Sequence, residues 1–324
     1  MHLPRGSTPM PANLKDLRTR IKSVKNTQQI TKAMKLVSAA KFGRAQNNVL
    51  QARPYARALE KLVIKLVAGG RDADSANNLM KQNDSQRVLL LVVSSERGLC
   101  GGYNTNTVKA TLRVLEELAA AGKKPVVMCL GKKAFQVLSR RSLPGGVKGN
   151  RNIPLRQFVE SPAGVVEENE NGLFQLGVTF DKPNFDFAQS LASAVEVAFG
   201  AGAVGEVHIV YNQFQSAMTQ IPVCEKVLPL SSQEAANVST GESILEPSWN
   251  ELADAVLPRY LATRLYQVML EAIASEHGAR MTAMDNATRN AKDMERRLQI
   301  TYQRARQAAI TRELIEIISG AEAL

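Results

Sequence analysis

The chain has 324 residues, of which 44% are hydrophobic, 22% charged and 5% aromatic; this ordinary globular balance excludes wholesale disorder and a collagen-like or disulfide-stapled build. Its apolar runs, such as Arg87-VLLLVVSS-Glu96, stop near eight residues, well short of the roughly 20 that span a bilayer, and no apolar core precedes Asn13 as a secretory signal requires. The formal charge of +11 is the unusual number.

All of that excess lies between Asn13 and Ala68, where thirteen basic residues, Lys32 and Lys35 among them, meet only Asp16 and Glu60. A basic surface confined to one element points to an anionic partner along it. The same stretch reads as a helix: Leu14, Leu17, Ile21 and Val24, then Ile30, Ala33, Met34, Val37 and Ala40, recur at helical spacing, with Asn13 as N-cap. Gly43 and Pro54 are its internal breakers, and Pro54 is expected to kink or end it. Unbroken, it would run roughly 80 Å, longer than a compact domain can bury.

Beyond a polar link the period changes. Arg87 to Ser95 reads as a buried strand, Asn106 to Ala121 as an amphipathic helix, Lys124 to Gly131 as a second strand and Lys132 to Arg140 as a second helix. Leu143 to Asn171, rich in Gly, Pro, Asn and Glu, reads as a loop or insertion. A helix over Phe187 to Gly200 and a strand over Gly205 to Phe214 complete a mostly parallel, Rossmann-like α/β domain. From Trp249 to Ser319 a second long helix is expected, with Pro258 near its start and Gly320 as its stop. Its narrow stripe (Met281, Met284, Ala287, Ala291, Met294, Leu298, Tyr302) suits antiparallel coiled-coil pairing with the first helix. The expected organisation is an extension 1–12, a helix 13–70, a linker 71–84, the inserted α/β domain 85–230, a linker 231–248 and a helix 249–324. Gln28 and Thr31 sit where a strict heptad wants leucine, so other faces of this coiled coil are also in use.

Few motifs carry chemistry. Ser94-SERGLCGGYNTN follows a strand and precedes a helix, where phosphate loops often sit, yet it matches neither G-x-x-x-x-G-K-[ST] nor G-x-G-x-x-G. A tight strand–helix turn is the better reading. Cys100 has no histidine near it in sequence and reads as a small packed residue; His208, in an apolar strand, reads as structural. Glu167-ENE reads as a solvated acidic loop. The three cysteines are widely spaced and give no metal or disulfide pattern. Nothing assembles into an acid–base pair or triad, so no catalytic site, cofactor or metal is expected. A nucleic-acid-binding coiled coil is a rival, disfavoured because only Phe42 and Tyr55 are aromatic in the basic helix. A nucleotide-using enzyme is the other.

Three stretches are familiar together: Leu17-RTRIKSVKNTQQITKAMKLVSAAKFGRAQ, Ser94-SERGLCGGYNTN, and Ser275-EHGARMTAMDNATRN running on to Tyr302-QRARQAAITRELIEIISGAEAL. In this order they resemble the gamma subunit of F-type ATP synthases, from about Ala12 to Leu324. Residues 1–9 fall outside the pattern, which makes Met10 an alternative start, and the 143–171 loop is the least family-like part. The cysteine pair of the redox-switched chloroplast form is not seen. The resemblance implies a non-catalytic central stalk turning inside a ring of alpha and beta subunits, its α/β domain standing on the membrane c-ring beside the epsilon subunit. It implies no direct membrane span, no nucleic acid, and a peripheral complex on the cytoplasmic face of a bacterial inner membrane, with the matrix side of the mitochondrial inner membrane as the alternative. Carried over by position, it makes Lys32, Met34, Lys35, Arg280, Arg306, Gln307 and Thr311 contacts to the catalytic ring.

Overall fold

The computed structural model describes residues 14–69, 77–141, 143–144, 166–168, 174–176, 184–230 and 248–322. The extension 1–12, the cap Asn13, residues 71–76 of the first linker, nearly all of the second and most of the 143–171 loop lie outside the described residues. Two compact units emerge, one of Met1–Val37 with Thr282–Leu324 and one of Ser38–Met281.

Helix α1 (Leu14–Gly69) is continuous through Pro54. The ring removes the amide that would bind the Leu50 carbonyl, but both residues are exposed, so water can solvate that carbonyl. Val49, Ala56, Leu59 and Val63, buried on the other face, hold the axis on both sides of the proline. After α1 come β1 (Arg87–Val93), α2 (Tyr103–Ala120), β2 (Lys124–Leu130), α3 (Lys132–Leu138), β3 (Val166–Glu168), β4 (Phe174–Leu176), α4 (Phe185–Gly200), β5 (Glu206–Phe214), β6 (Gln220–Leu228) and α5 (Trp249–Glu322). Pro258 lies inside α5 rather than at its start, and the helix passes Gly320 to end at Glu322.

The sheet order is β3-β4-β2-β1-β5-β6. The four central strands are parallel, while β3 and β6 run antiparallel at the edges. β3 falls within the stretch read from sequence as a loop. β6 carries Pro222, whose missing amide is tolerated at an edge strand, and its apolar alternation is diluted by Gln220, Glu225 and Lys226; both features hide it in the sequence. β4, just past that stretch, is likewise absent from the sequence reading; the remaining elements from β1 to β5 follow the alternating pattern anticipated.

Period two divides the core. Leu89, Leu91 and Val93 face a cluster shared with α1, α4 and α5, while Val88, Leu90 and Val92 face α2 and α3. Strand β1 is buried on both sides, which is why it reads as an unbroken apolar run. Within this unit α1 and α5 run antiparallel: Trp249 Nε1 donates to the Leu66 carbonyl at 2.9 Å, and Arg259 Nε to Tyr55 Oη at 2.9 Å.

Polar pegs set the register of α5 on the sheet. Asn212, buried in β5, donates to Thr107 Oγ1 at 2.7 Å and accepts from Ser275 Oγ at 3.0 Å through its carbonyl. Tyr103 Oη donates to the Ala272 carbonyl at 3.2 Å. Arg264 forks onto both carboxylate oxygens of Glu225 in β6. Gly278 lets α5 approach the β5–β6 turn closely, because a Cβ there would lie 3.2 Å from Ala217 Cα and 3.3 Å from the Phe42 ring.

At the start of β5 the Glu206 carboxylate meets Lys123 Nζ at 2.7 Å, Lys226 Nζ at 2.9 Å and His208 Nε2 at 3.1 Å. Burial alone would raise its pKa; hydrogen bonds from the two lysines and the histidine outweigh that and hold it at about 2. A carboxyl depressed in the folded state contributes stability that is complete above the ordinary glutamate value and lost as pH falls towards 2. Acid denaturation followed by circular dichroism should therefore show about 2–3 kcal/mol of stability lost between roughly pH 5 and 2 through this group, and Glu206→Gln should flatten that limb of the curve.

Gly131 closes the joint between β2 and α3 at φ +104, with its hypothetical Cβ 2.2 Å from the Ser94 carbonyl oxygen. Gly131→Ala combines left-handed backbone with overpacking against backbone. It should cost about 3 kcal/mol in urea unfolding, and an unchanged midpoint would show that the joint is slack.

Candidate functional site

In the unit made of Leu14 to Val37 and α5 from Thr282, the two helices are antiparallel and held by three ties. Lys35 Nζ meets Asp285 Oδ1 at 2.5 Å, Thr288 Oγ1 donates to Thr31 Oγ1 at 2.8 Å, and Arg18 Nε donates to Tyr302 Oη at 2.8 Å with its guanidinium 5.4 Å from that ring. Numbers rise along one helix as they fall along the other. The threonine pair fills the seam where a heptad would place leucine, and Thr31 is buried there with Leu17, Met284 and Ala291. Hydrogen bonds from Lys35 and then Arg289 hold the Asp285 carboxyl below its usual range.

Much apolar surface stays outside this seam. Ile30, Leu36 and Val37 on α1, and Met294, Ile300, Ile310, Leu314, Ile315, Ile317 and Ile318 on α5, are all exposed. From Thr311 to Ala321 every residue of α5 is exposed. Exposed apolar surface on this scale marks a face that another surface covers.

The family-derived positions separate into three groups. Lys32 is exposed, Met34 is half-buried, and Lys35 is half-buried in its ion pair. Arg306, Gln307 and Thr311 lie exposed on α5, with Thr311 Oγ1 donating to the Gln307 carbonyl at 2.9 Å. Arg280, in the other unit, is buried: its guanidinium meets Glu276 at 2.7 Å and donates to the Arg97 carbonyl at 3.0 Å and the Gly98 carbonyl at 3.3 Å. The sequence pattern missed this inward turn, since a cation on a helix stripe looks the same whether it meets solvent or backbone carbonyls.

Arg280 thus fastens the turn between β1 and α2. Within that turn Leu99 adopts φ +63 and is 63% exposed, an uncommon conformation for leucine. Ser94 ties the strand ends together, its amide donating to the Leu130 carbonyl at 2.8 Å and its Oγ accepting from Ala134 N–H at 3.0 Å. Cys100 is buried, accepts from Asn104 Nδ2 at 3.1 Å, and has its thiol pKa pushed up by burial. It packs, as its setting in the sequence suggested, and a thiol held in that state is a poor nucleophile. Among the described residues no helix is long and apolar enough to cross a membrane.

An α/β unit and a helical pair with bare apolar faces find their counterparts among known proteins. Residues 13–324 match the family model described as ATP synthase. The ATP synthase gamma chain of Geotalea daltonii is 42% identical over 314 residues, covering 97% of this chain and 99% of the relative, and that of Geobacter metallireducens is 41% identical with the same coverage. The chain belongs to the ATP synthase gamma chain family. The central stalk in the Tetrahymena thermophila mitochondrial ATP synthase central stalk/c-ring structure is similar at 25% identity and TM-score 0.53, over 80% of this chain and 99% of that one. A chain of the Euglena gracilis mitochondrial ATP synthase shares the fold at TM-score 0.61 and 21% identity, over 96% and 94% of the two chains. Family membership displaces both the nucleic-acid-binding and the nucleotide-using readings.

Replacing Arg280 removes the cation paired with the Glu276 carboxylate, whose side chain is only 12% exposed, and the donor to the Arg97 and Gly98 carbonyls. Arg280→Gln should cost about 3 kcal/mol in chemical denaturation and speed amide hydrogen exchange across Arg97 to Gly101. Exchange no faster than in the parent chain would show that the turn holds without the clamp.

Proposed function

We propose that this chain is the rotating central stalk of an F-type ATP synthase, coupling ion flow through a membrane rotor to synthesis or hydrolysis of ATP in a surrounding ring of alpha and beta subunits. The observation that carries this reading is the exposed apolar end of α5, Ile310 to Ile318, in a chain that aligns over 97% of its length with a gamma chain. A free helix end of that composition suits an apolar sleeve that it can turn within. The α/β unit is then the foot on the c-ring beside the epsilon subunit. The stalk contributes no catalytic residue of its own and acts mechanically.

The physics of such a part is differential contact. A shaft shifts the populations of the catalytic sites around it only by binding their conformations unequally. One charge crossing 100 mV yields about 2.3 kcal/mol, so several ions are pooled for each ATP through the twist the shaft carries. Lys32 and Lys35 on the basic stretch of α1, with Met34 beside them, suit an acidic lever on the ring. Arg306, Gln307 and Thr311 form an exposed polar face where a planar guanidinium can fork onto a carboxylate. Arg280, its guanidinium taken up by its own chain, serves a ring contact by fixing the turn that presents Leu99. The assembled complex is peripheral to the membrane, on the cytoplasmic face of a bacterial inner membrane in this reading.

Reconstitution with alpha and beta subunits, with a probe on the α/β unit, should give stepwise rotation that requires ATP. Failure to assemble with a folded chain would remove the stalk reading. In the complete enzyme Arg306→Ala should lower ion pumping per ATP hydrolysed severalfold while the isolated chain keeps its helicity; unchanged pumping would take Arg306 out of the contact.

A further inference from the structure

Strand β6 stands last in the sheet order, and among the described residues no strand pairs with its outer side. It runs nine residues, with Ile221, Cys224 and Lys226 exposed. Pro222 sits opposite Asn212 in the ladder with β5. Proline enters a paired strand where its nitrogen faces away from the partner, and backbone direction alternates along the strand. Cys224 and Lys226, further along in the same alternating set, therefore turn both N–H and C=O to the open side. Edge strands are commonly guarded by a lysine, and Lys226 holds that position. Its ammonium is drawn back over the sheet instead, 2.9 Å from the Glu206 carboxylate that Lys123 also binds.

Beside this edge the flank of α2 overhangs. Asn106, Lys109, Arg113 and Glu117 wall a groove of about 530 Å³ with Pro222 and Cys224, over a floor that includes Val114. The wall is net positive. Lys109 is exposed, with no ion pair among the described residues. Arg113 meets Glu117 through Nε at 3.1 Å, and its side chain is 82% exposed, so its terminal nitrogens stay available to a further carboxylate. Glu225, the acid of β6, is taken up by Arg264.

The geometry points to an acidic extended segment of a neighbouring subunit adding to the sheet beside β6, an inference that rests on the central-stalk reading. Its backbone bonds the open N–H and C=O groups of Cys224 and Lys226, and its carboxylates lie in the groove on Lys109 and Arg113. In such additions the main chain supplies affinity and alternate side chains supply specificity. Alternate residues of a strand lie about 6.7 Å apart, and residues four apart on a helix about 6 Å. Acids at every second position of the added strand therefore meet Lys109 and Arg113 in turn, while a basic segment is repelled by both. The chain has an acidic strand of its own, β3 with Glu167 and Glu168, at the far edge of the same sheet. A second copy joined through β3 would leave another β6 open and grow without closing. The occupant is therefore a different subunit.

Amide hydrogen exchange at Cys224 and Lys226 should be severalfold slower in the complete enzyme than in the isolated full chain, and a maleimide should alkylate Cys224 severalfold more slowly there. A capped peptide of alternating glutamate and threonine, added to the isolated full chain, should protect the same two amides, with an affinity that falls as salt rises. Its lysine–threonine counterpart should not. Lys109→Glu combined with Arg113→Glu should weaken the acidic peptide severalfold and leave the circular dichroism of the chain unchanged. Cys224→Pro, which removes a donor that β5 does not use, should do the same; if that variant misfolds, the charge reversal carries the test. Exchange at Cys224 and Lys226 as fast in the complete enzyme as in the isolated chain would overturn the added strand and leave the stalk reading, which rotation tests, untouched. Equal binding of the two peptides, or acidic-peptide binding that survives the charge reversal, would also overturn it. Protection that grows with the concentration of the isolated chain would put a second copy on the edge and overturn it as well.

Discussion

A helix buries a side chain only where some other surface meets it, and the two long helices offer more apolar face than the described residues cover. Between Ala253 and Ala279 helix α5 is a core element, with Leu257, Leu261, Leu265, Val268 and Met269 packed against the sheet and its partners. From Thr282 on, the buried residues are few: Met284 and Ala291 close a thin seam with α1, and the isoleucines beyond it stay in solvent. Each fully buried leucine or isoleucine is worth about 1.5–3 kcal/mol, so this end forgoes stabilisation that a neighbouring surface would recover. The thin seam is also polar where it counts, with two threonine hydroxyls and a lysine–aspartate pair in place of leucines. Such ties fix register with little bulk, leaving the outer faces available for a partner.

The α/β unit solves a different problem, that of holding a helix in one rotational setting against a sheet. Apolar packing alone tolerates small slips. The buried Asn212, with Thr107 on one side and Ser275 on the other, does not, because any slip leaves an amide or hydroxyl unpaired in the interior. Arg264 on Glu225 repeats the device at the edge strand. Glu271 sits deeper still, with one carboxylate oxygen lacking a hydrogen bond, and burial raises its pKa despite the arginines around it. These contacts all fall on the stretch of α5 that also carries Gly278 and Arg280, and they fix that stretch where it meets the turns after β1 and β5.

The places where sequence reading and structure part company share a cause. Pro54 and Pro258 have a strong local tendency to break helices, yet each sits where the carbonyl it orphans belongs to an exposed residue and flanking apolar contacts hold the axis. Strand β6 lacks the apolar alternation of its neighbours because only one edge and one face need satisfying. Arg280 carries the same charge as the exposed cations of α1, and nothing in its spacing tells that it ends on two backbone carbonyls. In each case tertiary surroundings override a local rule that was sound by itself.

Periodicity and composition determined the two terminal helices, the inserted parallel sheet, the concentration of positive charge on one element and, through three stretches of sequence, the family. Those properties depend on which face of an element is apolar, and that is written in neighbouring residues. Tertiary structure alone decided what each face meets: Thr31 opposite Thr288, Lys35 against Asp285, Arg280 turned inward, and Cys224 beside a histidine 16 positions earlier. Such pairings depend on the register between elements distant in sequence, and register is set by the packing of the whole unit rather than by any one segment of it.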